Sequence, residues 1–464
     1  MVLPTQTSPT PATDPAPTQP REEAGKVDLT GPMLTLKAFL DLLSADMDLA
    51  EAKKAYFQYR EDYEKRFTET FYSDHQAEPW FLEKYDPRLV QEFTHFRIQA
   101  AQLRHKEFIA ALQSQAFAGI LLRDCAEITS GPPAFAFDPA FSTLYLGLVP
   151  PCVWRKELIC ALHAVPGFTG LSLSEALPSQ GFSRFAWAKF DSELHCEEAC
   201  RLLMHVQINA TCCIAPSRSQ PNARKTPKMQ PPQSLPGLIA DWKQLTALIT
   251  HLDRLYSVGE NQLLVSETRF AGLEDKEVQV DLQLLYLRRV YGVCYYCAEV
   301  CEDERELAAK CGPVHLRSQV IGTQESKGSL TEKRLEDVYK KSQLAVYASS
   351  TDSKLADLIG ELCASLAIVE TAPRVRCSNC KKLFFDQKFL RKHIESKHVD
   401  LIDCVKKTHY DKLTLERFQQ DPGKFSYMQM ERNAVKRQRE DNFEDLDDPG
   451  KRPKARKVVS YSDI

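Results

Sequence analysis

Thr143-Leu-Tyr-Leu-Gly-Leu-Val149 and, further along, Ser183-Arg-Phe-Ala-Trp-Ala-Lys-Phe190 decide how the centre of this chain folds. The first is a short apolar run, which predicts a buried strand. Val153–Ala164 follows with Leu158, Ala161 and Leu162 on one helical face. Phe168–Leu173 and Phe182–Phe190 are strand-like, Glu193–His205 has helical periodicity, and Gln207–Ile214 predicts a last strand. The order over residues 140–215 is strand, helix, strand, strand, helix, strand.

That order is similar to an RNA-recognition-motif domain, a four-stranded sheet backed by two helices. Tyr145 stands at the second position of the first signature strand. The second signature is degenerate: Phe185, Trp187 and Phe190 hold the aromatic positions and Ala186 the small one, while the leading basic residue and glycine are displaced. Tyr145, Phe185 and Trp187 are expected to share the outer sheet face. There bases would stack for about 1–3 kcal/mol each, or else a neighbouring helix or linker covers the face.

Working outward, residues 1–32 hold seven prolines and six threonines with almost no large apolar side chain. Such a segment cannot offset its ordering entropy and is predicted to be disordered. Residues 33–129 form a helical domain. Asp48 is its candidate N-cap, and Leu49, Ala52, Tyr56, Tyr59, Tyr63, Phe67 and Phe71 form one helical stripe. Pro87 suits the first turn of a second helix, whose stripe runs Val90, Phe93, Phe96, Ala100, Leu103, Phe108 and Leu112. The two stripes predict core packing between antiparallel helices. Residues 216–237, with six prolines and four Lys or Arg, are a linker. A middle helical domain, 238–372, contains helices over Leu238–Tyr256 and Leu282–Val300. On the second of these and its exit lie Cys294, Cys297, Cys301, Cys311 and His315. They form either a zinc site or one helical face of packing thiols.

Cys377-Ser-Asn-Cys380, twelve residues, His393, four residues and His398 make the sharpest motif. This is the spacing of a single Cys2His2 zinc finger, expected over 373–410. Phe384 and Leu390 stand where its small core needs them. Two thiolates on a knuckle and two imidazoles on a helix give tetrahedral ligation to Zn2+, which supplies the folding energy so small a unit lacks. Counting from His393, a DNA-reading helix would use Asp386, Phe389 and Lys392, and phenylalanine cannot hydrogen-bond a base edge. Residues 374–407 carry ten Lys or Arg against four Asp or Glu. Lys381, Lys382, Lys388, Arg391, Lys392 and Lys397 predict a surface for RNA phosphates or acidic peptides.

The 464 residues carry a formal net charge of −3, from 60 Lys or Arg and 63 Asp or Glu, so the basic block is offset elsewhere. No apolar run is long enough to span a bilayer and no secretory signal is evident, which leaves the fifteen cysteines as thiols or metal ligands. Neither a phosphate-binding loop nor a nucleophile elbow nor HExxH is found, so a non-enzymatic protein is expected. In the polar tail, 421–464, Lys436, Arg437 and Arg439 precede Lys451, Arg452, Lys454, Arg456 and Lys457 in the pattern of a bipartite nuclear import signal. The predicted class is α+β and mainly α-helical, with helical blocks around a degenerate RNA-recognition motif, one finger and disordered termini.

Taken in order, these modules resemble the SERRATE / arsenite-resistance protein 2 family of nuclear RNA-processing scaffolds. Lys37-Ala-Phe-Leu40, Tyr56-x-x-Tyr59-Arg60 and Trp80-Phe81-x-x-Lys84-Tyr85-x-Pro87 are similar to its N-terminal domain. Leu284-Leu-Tyr-Leu-Arg-Arg-Val290, Tyr295-Tyr296 and Cys311-Gly312-x-x-His315-x-Arg317 are similar to the segment after its RNA-recognition motif. Cys380-Lys-Lys-Leu-Phe384, Arg391-Lys-His-Ile394 and Lys397-His398 are similar to its finger. The resemblance implies a monomer within larger complexes, joining the nuclear cap-binding complex to primary-microRNA processing factors of RNase III type. It also implies RNA binding, and binding of acidic-motif peptides of RNA-fate effectors through Lys388, Arg391, Lys392 and Lys397. Phe443-Glu-Asp445-Leu446-Asp447-Asp-Pro449 is similar to the family's cap-complex docking word, with Phe for Tyr and Asp for Ala. A regulator that binds nucleic acid through its one finger, without the cap-binding complex, is the alternative.

Overall fold

The computed structural model describes residues 33–42, 48–117, 142–210, 212–218, 228–229, 235–259, 273–302, 304–312, 314–317, 331–347, 352–371, 373–424 and 426–427. The proline-rich segment 1–32, the docking word Phe443–Pro449 and the import clusters Lys436–Arg439 and Lys451–Lys457 lie outside these residues. By its contacts the chain divides into two compact units, residues 1–71 and 72–464.

In the first unit, α1 (Leu36–Leu40) begins where the Thr35 hydroxyl accepts from the Ala38 N–H at 3.3 Å. Asp48 accepts from the Ala50 N–H at 3.1 Å at the start of α2 (Leu49–His75), which runs into the second unit. Ala52, Tyr59, Tyr63 and Phe71 are buried along the expected stripe; Leu49, at its head, is exposed. Within this unit the stripe closes on α1, with Phe39 4.9 Å from the Tyr59 ring.

The second unit opens with α3 (Pro79–Tyr85) and α4 (Pro87–Gln113), Pro87 filling the first turn and Asp86 capping it. The buried side of α4 matches the expected stripe only in part. Val90 and Phe108 of the stripe are buried, but Phe96 and Leu103 are 65% and 59% exposed, and Thr94 and Ala101 are buried in addition. Thr94 takes a core position because its hydroxyl donates to Val90 O at 2.8 Å and accepts from Tyr347 N at 3.1 Å, so burial leaves no polar atom unpaired.

Next come β1 (Thr143–Val149), α5 (Arg155–His163), β2 (Phe168–Leu173), β3 (Arg184–Phe190) and α6 (Glu193–Leu202). The sheet runs β1-β3-β2, antiparallel throughout. Leu158 and Leu162 of α5 and Cys196 and Ala199 of α6 pack on the inward side chains Leu144, Leu146, Ala186 and Ala188. Among the described residues the expected fourth strand is absent from this sheet. Gln207–Ile214 instead makes a hairpin, β4 (Gln207–Asn209) with β5 (Cys212–Cys213). The free edge of β1 is met by Ser217, which exchanges backbone bonds of 2.9 and 2.7 Å with Tyr145. Pro216 has no N–H, so pairing does not extend back through it.

Beyond β6 (Lys228–Met229) come α7 (Leu235–Leu255) and α8 (Leu273–Tyr291), which build the largest core with Phe108 and Phe117. The helix expected over Leu282–Val300 ends at Tyr291. Gly292, at φ +66°, terminates it, and β7 (Val293–Cys294) turns back as β8 (Glu299–Val300). Cys294, Cys297 and Cys301 therefore do not share a helical face. The chain continues through α9 (Glu304–Cys311), β9 (Leu316–Arg317), α10 (Glu332–Ala345) and α11 (Asp352–Ser365). It closes with β10 (Ala367–Thr371), β11 (Arg374–Cys377), β12 (Leu383–Phe384), α12 (Gln387–Lys397) and α13 (Val399–Gln420). The architecture is mainly helical with small sheets.

Distant segments of this unit meet through buried charges. Glu83 of α3 accepts from Arg155 N at 2.6 Å and from the Arg184 guanidinium at 2.5 Å. Lys84 lies 2.8 Å from Asp421 and 3.2 Å from Glu175. Glu302 takes the Arg155 guanidinium at 2.9 Å and Leu173 N at 2.8 Å, and Glu306 takes Glu175 N at 3.1 Å. Burial alone would raise the Glu175 and Glu302 carboxyls, but Lys84 and Lys310 around the first, and Arg155 and Arg97 around the second, hold both below the ordinary range. Burial pushes the Glu306 carboxyl the other way, upward.

Two outcomes follow. Arg184→Met leaves Glu83 buried without its guanidinium and should cost about 3–5 kcal/mol, read as a lower urea midpoint; a cost under about 1 kcal/mol would show the pair to be dispensable. The stability that Glu175 and Glu302 contribute is present above the ordinary glutamate pKa of about 4.3 and lost as pH falls through their lower folded values. Urea midpoints should therefore drop in acid, and Glu302→Gln should flatten that drop.

Candidate functional site

β11 ends on Cys377, the chain turns through Cys380, and Lys381, at φ +62°, lets β12 return. Asp386 then caps α12, accepting from Phe389 N at 3.0 Å, and α12 with its C-cap presents His393 and His398 to the turn. The ligand atoms of Cys377, Cys380, His393 and His398 all lie within 4.8 Å of one another. Cys380 Sγ is 3.0 Å from His393 Nε2, and Cys377 Sγ is 3.5 Å from His398 Nε2. Sulfur–nitrogen edges of about 3.5 Å are what a tetrahedron with zinc bond lengths has. Burial raises the Cys377 thiol, but the N–H groups of Cys380 and Asn379 point at its sulfur and bring it down on balance, favouring thiolate. Burial, then His398 and nearby lysines, lower His393 and so favour the neutral imidazole a metal needs.

Val375, Leu390 and Ile394 are buried beneath this cluster, with Phe384 packed at the edge. The unit does not stand alone: Cys363 and Ile359 of α11 and Ile402 of α13 join the same core, and β10 adds a third strand. Lys381, Lys382, Lys388, Arg391, Lys392 and Lys397 are all exposed. Among them stand Phe385 at 67% and Phe389 at 55% exposure, with Leu383 at 44%. The surface is thus cationic and aromatic together.

A second cluster lies at the β7–β8 turn. Cys294 Sγ and Cys297 Sγ lie 3.1 and 3.2 Å from His315 Nε2, and Cys311 is buried in the same cluster. Cys301 is buried next to them, and the three ligand atoms within mutual reach are those of Cys294, Cys297 and His315. On the sheet, Tyr145, Phe185 and Trp187 do share one face, their rings 6.1–6.2 Å apart. Trp187 is only 2% exposed, whereas Tyr145 and Phe185 are half-buried. A base would reach only the latter two without rearrangement.

The profile of the SERRATE/Ars2 N-terminal domain matches residues 37–131, and that of the RNA-recognition domain of the Serrate RNA effector molecule homolog matches residues 140–215. The chain carries these two SERRATE/Ars2 domains. It is 24% identical to the Serrate RNA effector molecule homologs of Bos taurus and Homo sapiens, over 57% of this chain and 37% of each relative. It is 21% identical to the Serrate RNA effector molecule of Arabidopsis thaliana, over 84% of this chain and 49% of that protein. The matches thus span between 37% and 49% of those relatives' length. A solved structure of Arabidopsis Serrate covers 83% of this chain and 97% of its own, with a TM-score of 0.35 and 17% identity.

In this chain the words that carried the resemblance are largely interior. Trp80, Phe81 and Tyr85 are at most 2% exposed, as are Leu285, Tyr286, Leu287 and Val290. The exposed Phe385 escaped the sequence reading, because it follows a core phenylalanine with no periodicity to separate them. By sequence, Cys294, Cys297 and His315 fit either a zinc site or a packing face, because the pattern extends α8 through Cys294 and Cys297. Because Trp187 is an interior side chain, Trp187→Ala should destabilise the protein by about 3–5 kcal/mol in urea unfolding. A change under about 0.5 kcal/mol would mark it as a surface residue.

Proposed function

We propose that this chain is a non-enzymatic nuclear scaffold whose finger holds zinc through Cys377, Cys380, His393 and His398 and docks partners on its basic face. The observation that carries the reading is the conjunction on one small unit: four converging ligands below, six exposed cations and two exposed phenylalanines above. Zinc would fix the knuckle against α12 and so fix the spacing of Lys381 and Lys382 relative to Lys388, Arg391, Lys392 and Lys397. Such an array suits phosphates or the carboxylates of an acidic peptide, with aromatic faces for a base or an apolar side chain.

The name that the relatives bear, RNA effector molecule, fits RNA among the partners. The family resemblance extends the role to joining the cap-binding complex with primary-microRNA processing factors of RNase III type. On this reading Phe443, Asp445, Leu446, Asp447 and Pro449 dock on the cap complex and the tail's basic clusters direct nuclear import. Reading of DNA sequence is disfavoured by the helix itself. Asp386 is engaged as the N-cap and Phe389 presents no hydrogen-bonding group.

Charge reversal of Lys388, Lys392 and Lys397 to Glu should abolish capture of acidic-motif peptides and weaken RNA binding while the far-ultraviolet spectrum stays unchanged. For RNA, each phosphate that the variant no longer neutralises should flatten the slope of log affinity against log salt by about 0.7. An unaltered slope and unaltered peptide capture would remove the basic face from the mechanism. Cys380→Ser should lower bound zinc by one equivalent, read by elemental analysis.

A further inference from the structure

The turn between β7 and β8 repeats the finger's knuckle. In both, a strand ends on or just before a cysteine, and two residues intervene before the next cysteine. The residue after that is a non-glycine in the left-handed region: Lys381 at φ +62° in the finger, Ala298 at φ +56° here. A backbone bond then closes each turn, Lys381 N to Cys377 O at 2.9 Å and Ala298 N to Tyr295 O at 3.2 Å. A side chain in that region carries strain, and the two places share the service of aiming two sulfurs at one point. At that point His315 Nε2 arrives, 3.1 and 3.2 Å from the two sulfurs, with the Tyr296 ring 5.7 Å from its own. Cys311, the last residue of α9, brings a third thiol into the same buried cluster as the other two.

Charge is matched as well. Three thiolates and a divalent cation sum to −1, and the buried Arg288 stands beside the sulfurs. Its Nη2 donates to Gly312 O at 2.5 Å, while its Nη1 is buried with no hydrogen-bond partner. A buried guanidinium with a spare donor beside a cluster of thiols is costly unless those thiols carry negative charge. Cys301 is different. Burial and the neighbouring Glu306 both work against a thiolate there.

We propose that Cys294, Cys297, Cys311 and His315 form a second, structural zinc site of the Cys3His type. The spacing is C-x2-C-x13-C-x3-H. β7 and β8 have two residues each and α9 has eight, too little structure to hold itself. The metal would clamp hairpin to helix, and these elements carry Glu302, Glu306 and Lys310, which grip the end of β2 and Glu175.

The full-length chain, loaded with Zn2+ and desalted under reducing conditions, should carry two zinc equivalents by elemental analysis. Cys297→Ser and His315→Ala should each reduce the count to one, as should Cys380→Ser in the finger, and Cys301→Ser should leave it at two. With Co2+ in place of Zn2+, the sulfur-to-cobalt charge-transfer band of the wild-type chain should have the intensity of five thiolates, not two. One equivalent in the wild-type chain overturns the proposal. So does a second equivalent that survives Cys297→Ser and His315→Ala. The wild-type count and the cobalt spectrum decide the matter even if a variant fails to fold.

Discussion

Glu83 and Lys84, adjacent on one turn of α3, reach opposite ends of a buried ionic web on which the second unit depends. Glu83 takes the N-terminus of α5 and the Arg184 guanidinium of β3; Lys84 takes Asp421 and Glu175. Glu302 and Glu306 complete the ring by accepting the N–H groups at the end of β2. A buried carboxylate without partners costs several kcal/mol, so these groups are tolerable only all together. That constraint sets where the three-stranded sheet sits relative to α3, to the β7–β8 hairpin and to the segment after α13.

Aromatic packing reinforces the same junction. Trp80 stacks on Phe182 at 4.9 Å with planes 5° apart, and Phe418 meets Phe81 and Tyr85 edge-on at 5.1 and 5.3 Å. Phe182 occupies a positive φ, and its stacked ring offsets the strain of that backbone. The charges fix register and the rings supply burial. The basic finger stands on this frame through α11 and α13, so its cationic face is held by the folded body and not by the knuckle alone.

The two cysteine clusters show how far local pattern carries. The Cys377–His398 cluster was legible because its two Cys and two His sit at fixed spacings within twenty-two residues and its core residues fall between them. The second cluster was legible only as either a zinc site or packing thiols, because the apolar periodicity of α8 runs on through Val293 and Tyr296 and extends the helix past Gly292. One positive-φ residue turned a helical face into a knuckle. The stripe of α4 held at Val90 and Phe108 but slipped between them: a satisfied Thr94 took a core place while Phe96 and Leu103 faced out.

By itself the sequence determined the order of strands and helices over 143–202, the Cys377, Cys380, His393 and His398 cluster, the basic excess around it and, through short words in order, the resemblance to SERRATE/Ars2 proteins. All of these rest on contacts between residues near in the chain, where spacing and chemistry are sufficient. Only the tertiary structure decided that Trp187 is interior, that the edge of β1 goes to Ser217, and that Glu306 is buried while Glu302 is engaged by Arg155 and Leu173 N. Burial of a charge depends on partners far along the chain. Lys84 meets Asp421, and Arg155 meets Glu302, across separations that no local pattern encodes.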